Sequence, residues 1–205
     1  MAINAFTYHT VSQRGDAEFK DRGSRFIGIA VPAENTAAIK QALDQIKEQY
    51  PRATHYCYAW RVGFTGQQFR ANDDGEPSGS AGKPILGQID SNAITNTLVV
   101  VVRYYGGSKL GVPGLIHAYK TAALHAIEAA CVIERDRCEY VQLEFDYTLM
   151  NDVMRCLKPY NIPIVSQEQG LFCTLKIGIP LRVLETVKSK LQELRSLYIT
   201  DLSNE

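Results

Sequence analysis

The chain has 205 residues, of which 45% are hydrophobic and 21% are charged, as is typical of a soluble globular protein. Lys plus Arg and Asp plus Glu number 22 each, so the zero net charge excludes bulk attraction to nucleic acid or membrane. The five cysteines form no C-x-x-C pair, which disfavours a disulfide framework and a zinc ribbon. No signal peptide is visible, and the longest aliphatic run, 98–102, is too short to span a bilayer. The sequence therefore predicts a cytoplasmic protein that has no membrane span.

The first two thirds of the chain predict a mixture of strands and helices. Turn residues and apolar patterns predict four strands, over 24–32, 54–64, 66–73 and 96–107. The strand over 96–107 is a continuous apolar run, which is typical of a central strand covered on both faces. Three helices are predicted, over 35–51, 84–92 and 112–133. Asn35 is suited to cap the first of them, and Pro84 suits the first turn of the second.

The last third predicts a second domain with the element order βαββαβ. Its elements are predicted over 138–148, 149–161, 162–170, 171–180, 181–196 and 197–203. This order defines the split ferredoxin-like unit, in which two helices bury their apolar stripes on one face of an antiparallel sheet. The fold class is therefore α+β, with an N-terminal domain over 1–136 and a ferredoxin-like domain over 137–205.

The segment NDDGEPSGSAGKP, residues 72–84, combines acids, glycines and serines. A Walker loop would need glycine where Pro77 stands and Ser or Thr where Pro84 stands, so that motif is rejected. The spacing also fails for a calcium loop. Three interpretations stay open: a weak anion site at Lys83 before a helix, a metal or acid–base site using Asp73, Asp74 and Glu76, or a solvated turn.

A second cluster, RYYGGSKLG at 103–111, follows the apolar strand. Its cations Arg103 and Lys109 alternate with the aromatic residues Tyr104 and Tyr105 and with glycines, as at nucleic-acid-binding surfaces. The alternative is that one tyrosine is core and Arg103 pairs with an aspartate of segment 72–84. That pairing would bring the two segments together.

Two further groups of candidates lie on predicted regular elements. His55, Cys57 and Arg61 share one face of the strand over 54–64. Residues two apart on a strand are about 6–7 Å apart, too far for a direct Cys–His proton relay. His117 and Lys120 share a face of the helix over 112–133, and His117 is a candidate near the helix start.

The stretches GEPSGSAGKPIL and LVVVVRYYGGSKLGVPGLIHAYKTAA resemble the signature of the IMPACT family, and the chain is similar in length and layout to its bacterial YigZ-type members. The resemblance implies a first domain with the left-handed βαβ fold of elongation factor G domain IV. It implies a second domain like domain V of that factor, which agrees with the ferredoxin-like order. Such likeness to a translation factor is analogy and does not establish activity.

The resemblance carries the family motif onto seventeen positions of this chain. These are Arg25, His55, Tyr58, Arg61, Asp73, Asp74, Gly75, Glu76, Pro77, Gly79, Gly82, Arg103, Tyr105, Gly106, Gly107, Leu110 and Gly111. Pro113 and His117 depart from the family, whose relatives have Gly and Arg there, so a phosphate contact by His117 would depend on pH. Eukaryotic relatives bind ribosomes and an activator of an initiation-factor kinase. They carry an extra N-terminal domain, and this chain is expected to begin too close to the motif to hold one.

The sequence leads to one function and two alternatives. The first is a non-enzymatic cytoplasmic protein that binds RNA or the ribosome, with a possible role in translation regulation. Its anion-binding residues would be Arg25, Arg61, Lys83, Arg103, Tyr104, Tyr105, Lys109, His117 and Lys120. The second is a metal-assisted hydrolase or phosphate-ligand enzyme using His55, Asp73, Asp74 and Glu76. The third is an adaptor that docks a protein through the C-terminal domain. No cofactor and no resident metal are expected.

Overall fold

The computed structural model describes residues 5–202. Its eleven strands are β1 Thr7–Val11, β2 Gly15–Asp21, β3 Ser24–Pro32, β4 His55–Val62, β5 Gln68–Asn72, β6 Thr97–Tyr104, β7 Val132–Asp136, β8 Cys138–Phe145, β9 Ile164–Gln169, β10 Cys173–Pro180 and β11 Tyr198–Leu202. Its five α-helices are α1 Thr36–Gln49, α2 Gly82–Ser91, α3 Gly111–Ala129, α4 Met150–Leu157 and α5 Leu184–Gln192. The chain divides into a first unit over 8–135 and a second unit that joins residues 5–7 to 136–202.

The first unit is built on an antiparallel five-stranded sheet of order β2-β3-β6-β4-β5. The strands β3 and β4 are parallel to each other, joined by α1 and separated by β6, which makes a split βαβ unit. Asn35 caps α1 as predicted, because its side chain accepts a hydrogen bond from the backbone N–H of Ala38 at 2.9 Å. The short strand β5 pairs with β4 as the predicted hairpin.

Both faces of this sheet are covered. Leu98, Val100 and Val102 of β6 face the cluster under α1, while Val99 and Val101 face the cluster under α2 and α3. All five side chains are fully buried, which confirms the central strand predicted from the apolar run. The residues that follow β6 therefore emerge at one fixed edge of the sheet.

The hairpin of β2 and β3 was not predicted. Its two central residues, Arg22 and Gly23, have φ of 43° and 79°, as in the type I′ turn that matches strand twist. Only Ala17 and Phe19 of β2 pack on the core, so its alternation is weak in the sequence. The strands β1 and β7, also unpredicted, pair as a separate two-stranded sheet.

The second unit has the sheet order β11-β8-β10-β9, all antiparallel. Together with the element order β8-α4-β9-β10-α5-β11, this is the ferredoxin-like arrangement, and the α+β fold class is confirmed. Val141, Leu143, Leu175 and Ile177 of the sheet are buried in one cluster with Val187 of α5. Within residues 5–202, no helix combines the length and apolar character that crossing a membrane requires.

Candidate functional site

The two motif segments meet inside the first unit through a buried ion pair. Arg103, the last buried residue of β6, donates from Nη1 to Oε1 of Glu76 at 2.5 Å. Tyr119 of α3 donates its hydroxyl to the same carboxylate oxygen at 2.7 Å, and burial raises the pKa of that hydroxyl. Segment 72–84 is thus joined to the end of β6, and the partner of Arg103 is Glu76 rather than an aspartate.

The guanidinium of Arg103 lies close to two aromatic rings. Its Cζ is 5.3 Å from the ring centroid of Phe26 and 5.4 Å from that of Tyr105. Its Nη2 also donates to the hydroxyl of Ser24 at 3.4 Å, whereas its buried Nε has no hydrogen-bond partner in the described chain. Phe26 belongs to the core and Tyr105 is 47% exposed, so Arg103 links the core to a surface ring.

The backbone after β6 is fixed by two hydroxyl groups. The N–H of Tyr105 donates to Oγ1 of Thr54 at 3.1 Å, and the N–H of Gly106 donates to Oγ of Ser24 at 3.2 Å. A Cβ at Gly106 would lie 1.9 Å from the carbonyl carbon of Gly23, so only glycine fits there. The β2–β3 turn, the start of β4 and the end of β6 therefore share one edge of the sheet.

Asp73 occupies the anion site predicted before α2. Its carboxylate accepts hydrogen bonds from the N–H groups of Gly79, Ala81 and Gly82, at 2.9, 3.0 and 2.8 Å. Partial burial raises the pKa of Asp73, but these donors outweigh it and hold that pKa below its ordinary value. The Asp73 carboxylate of segment 72–84 thus fills the anion site at the start of α2. Lys83, the residue after Gly82, is exposed.

Asp74 ties the same segment to β4. Its carboxylate accepts the N–H of Tyr56 at 2.7 Å, and its carbonyl oxygen lies 2.7 Å from Nδ1 of His55. Since a carbonyl only accepts, Nδ1 carries the proton, and Nε2 of His55 faces Glu76 Oε1 at 3.9 Å. The three acids of the segment therefore each accept hydrogen bonds from groups of the protein.

The strand β4 does not offer an open polar face. Cys57 and Ala59 are fully buried in the cluster under α2 and α3, and the aromatic residues of the opposite face are partly buried under α1. The Cys57 thiol donates to the carbonyl of Asp73 at 2.9 Å, and burial raises the pKa of that thiol. Cys57 is a core residue.

Several predicted binding residues lie away from this cluster. Arg25 pairs with Glu18 at 2.8 Å and lies over the ring of Tyr104, so both belong to the face opposite Arg103. Arg61, at the far end of β4, pairs with Asp90 at 2.5 Å.

Two further candidates lie on α3, and both are exposed. His117 packs against Phe19 of β2 with 5.8 Å between ring centroids. Lys120 has no carboxylate partner among residues 5–202.

Three exposed cations belong to the segments that meet at the end of β6 and have no carboxylate partner in the part of the chain that the structure describes: Arg22, Arg52 and Lys109. Arg22 lies in the turn next to Gly23, which contacts Gly106. Arg52 follows Pro51, whose carbonyl accepts the hydroxyl of Tyr104 at 3.1 Å. Lys109 belongs to the exposed loop after β6. We call Arg22, Arg52, Lys109 and Tyr105 the basic edge.

Sequence reasoning missed Tyr119 and Ser24, which complete the buried cluster. Tyr119 falls on the apolar face of α3 with Ala122 and Ala126, and a buried tyrosine hydroxyl requires a hydrogen-bond partner. That requirement was the available signal. The sequence carries no such signal for Ser24, because its contacts with Arg103 and Gly106 depend on the turn that precedes it.

Among the described residues, no group of three or more His, Cys, Asp or Glu side chains is placed to hold a metal ion. The charged groups of the cluster instead form pairs and caps within the fold.

The Impact N-terminal domain matches residues 22–127, which include segment 72–84, the basic edge and Tyr119. The first unit is therefore a domain of that class. The IMPACT family member YvyE of Bacillus subtilis is 35% identical over 147 residues, covering 72% of this chain and 68% of its own. The IMPACT family member YigZ of Escherichia coli is 30% identical over 172 residues, covering 83% and 84%. The chain belongs to the IMPACT family, and the resemblance drawn from its two motifs is confirmed.

A solved structure has a similar fold over nearly the whole chain. The crystal structure of an hypothetical protein matches with a TM-score of 0.73 at 26% identity, covering 98% of this chain and 100% of its own. The likeness supports the two-unit α+β architecture.

Proposed function

We propose that this protein binds RNA, and through it the ribosome, by the basic edge of its first unit. One observation carries the proposal: Asp73, Asp74 and Glu76 all accept hydrogen bonds from groups within the fold. They therefore do not neutralise the cations of the basic edge, which can attract an anionic partner. The enzyme alternative needs a carboxylate free to bind metal or move a proton. The pairing of all three acids favours a binding role.

The charge distribution supports a polyanionic partner. Arg22, Arg52 and Lys109 add three positive charges to the segments that meet at the end of β6, where Tyr105 is exposed, and Asp21 beside the turn offsets one of them. Since the chain is neutral as a whole, attraction must come from such a local patch. Cations next to aromatic rings suit nucleic acid better than a simple anion, because phosphates and bases alternate along the strand.

The ribosome is proposed as the source of that RNA from the family resemblance. The resemblance implies that eukaryotic members bind ribosomes, and the first unit of this chain carries the domain that the family model describes. A role in translation regulation would follow from such binding.

The test compares two double variants with equal change of charge. Arg22→Glu with Lys109→Glu removes cations of the basic edge, and Lys40→Glu with Lys47→Glu removes two exposed cations of α1. Affinity for a labelled single-stranded RNA is measured by fluorescence anisotropy, and ribosome association by co-sedimentation. We expect a loss of about tenfold or more for the first variant only. Absence of binding at low salt, or equal losses in both variants, would sink the proposal.

An adaptor role is a second candidate because the second unit exposes apolar residues at one place. Leu171 and Phe172, in the β9–β10 hairpin, are 95% and 54% exposed. If they dock a ribosomal protein, Leu171→Ser with Phe172→Ser should lower ribosome co-sedimentation and leave affinity for free RNA unchanged. Unchanged co-sedimentation would eliminate this candidate.

A further inference from the structure

We infer that the ring of Tyr105 is a preformed stacking platform for an unpaired base, so that the basic edge selects single-stranded over duplex RNA. This inference rests on the proposed function and names the form of nucleic acid that the same site takes.

The position of the Tyr105 ring is fixed before any ligand binds. Its hydroxyl donates to the carbonyl of Gly107 at 2.7 Å, which ties the side chain to the backbone two residues further along the loop. The ring lies over the guanidinium of Arg103, with 5.4 Å between Cζ and the centroid. Nearly half of the residue is nevertheless exposed, so the ring keeps accessible surface although Arg103 lies against it.

The groups beneath the ring are fixed in turn. Arg103 is bound by Glu76, which also accepts the hydroxyl of Tyr119, and both side chains of the ion pair are more than nine-tenths buried. The backbone of Tyr105 is pinned through Thr54. Glu76, Arg103 and Tyr119 are therefore positioning residues, which act on RNA only through Tyr105. A ring held in this way loses little conformational freedom when a base stacks on it.

The arrangement favours single strands for a steric reason. In an A-form duplex the bases are stacked on one another and the surface presents phosphates and sugars, so a ring cannot reach a base face. In a single strand a base can stack on Tyr105 while flanking phosphates meet Arg22 and Lys109. Duplex RNA would keep the phosphate contacts alone.

The chain offers a matched control for this platform. Phe69 of β5 is 55% exposed and lies over Arg61, with 4.7 Å between Cζ and its ring centroid. It resembles Tyr105 in exposure and in its arginine neighbour, but it pairs with Arg61 at the far end of β4, away from the basic edge.

The experiment uses the full chain, a single-stranded RNA that contains 2-aminopurine, and the same RNA annealed to its complement. We expect wild type to bind the single strand more tightly and to quench 2-aminopurine fluorescence. Tyr105→Ala should lower single-strand affinity about tenfold and abolish the quenching, with the salt dependence unchanged, while Phe69→Ala should match wild type. Tyr105→Phe should keep part of the affinity, because the ring remains without its hydroxyl tether. The fluorescence of Trp60, the only tryptophan, verifies that each variant is folded.

The possible failures are distinguishable. If wild type binds no RNA at low salt, the proposed function itself fails. If RNA binds and the charge variants weaken it, but Tyr105→Ala binds like wild type or duplex binds as tightly as single strand, the proposed function stands and this inference is overturned.

Discussion

Arg103 and Glu76 form an ion pair in the interior of the first unit, with 7% and 4% of their side chains exposed. The pair joins segment 72–84 to the end of β6, the two stretches that carry the family signature. Desolvating two charges is costly, and the arrangement is sustained by further hydrogen bonds from Tyr119 and to Ser24. The geometry of the basic edge thus depends on a buried polar cluster.

The first prediction concerns the loss of one partner of that pair. Glu76→Gln keeps the size of the side chain but leaves the Arg103 charge buried without a counter-charge, so the first unit should lose about 3–5 kcal/mol of unfolding free energy. Urea unfolding followed by Trp60 fluorescence measures this unit specifically, since the single tryptophan lies in β4.

A surface pair in the same unit provides the control. Asp90 pairs with Arg61 and is 44% exposed at its side chain, so Asp90→Asn should cost less than about 1 kcal/mol. Equal losses of unfolding free energy for Glu76→Gln and Asp90→Asn would show that the buried pair stabilises the unit no more than an exposed pair does.

The second prediction concerns Asp73 and pH. Asp73→Asn weakens the cap of α2 and should cost about 1–2 kcal/mol at neutral pH. Because the folded pKa of Asp73 lies below its unfolded value, the stability it adds is present above the unfolded pKa and is lost as pH falls through the folded pKa. Unfolding free energies of wild type and variant should therefore converge below about pH 4. A difference that stays constant down to pH 2 would contradict this role.

The third prediction concerns the contact between Gly106 and Gly23. Gly106→Ala places a methyl group against the Gly23 carbonyl, so the edge must shift, at a cost of about 1–3 kcal/mol. RNA affinity should fall as well, because Tyr105 moves with its neighbour. Gly87→Ala is the control: apart from its chain neighbours and the backbone of its own helix, no atom lies within 4 Å of the added Cβ, and alanine in α2 should stabilise by about 0.5–1 kcal/mol. Thermal unfolding measures the stability of both variants. A Gly106→Ala variant as stable as wild type would contradict the close contact between Gly106 and Gly23.

Much of the fold could be predicted because its periodicities are strong. The apolar run of β6 and the alternation in β8 identify their strands without tertiary information. The edge strand β2 has only Ala17 and Phe19 on the core, and β7 finds its partner β1 more than a hundred residues away. Local patterns carry no signal for such a pairing.

The site was predictable only in part. The meeting of segment 72–84 with Arg103 follows from unlike charge, yet the identity of the acid does not. Asp73 accepts hydrogen bonds from N–H groups of its own segment, whereas Asp74, with φ of 44°, accepts the N–H of Tyr56 in β4. Glu76 is the acid whose side chain extends into the interior, where it pairs with Arg103. These choices depend on backbone geometry that residue types alone do not encode.

The most direct measurement of the central claim is the salt dependence of RNA affinity. If three cations of the basic edge meet phosphates, the logarithm of the association constant should fall against the logarithm of salt concentration with a slope of about −2 for single-stranded RNA. Arg22→Glu with Lys109→Glu leaves one of the three cations, so the slope should weaken to about −0.7 or closer to zero, and Lys40→Glu with Lys47→Glu should leave it unchanged. A wild-type slope near zero, or one that the edge variant leaves intact, would contradict RNA binding at this edge.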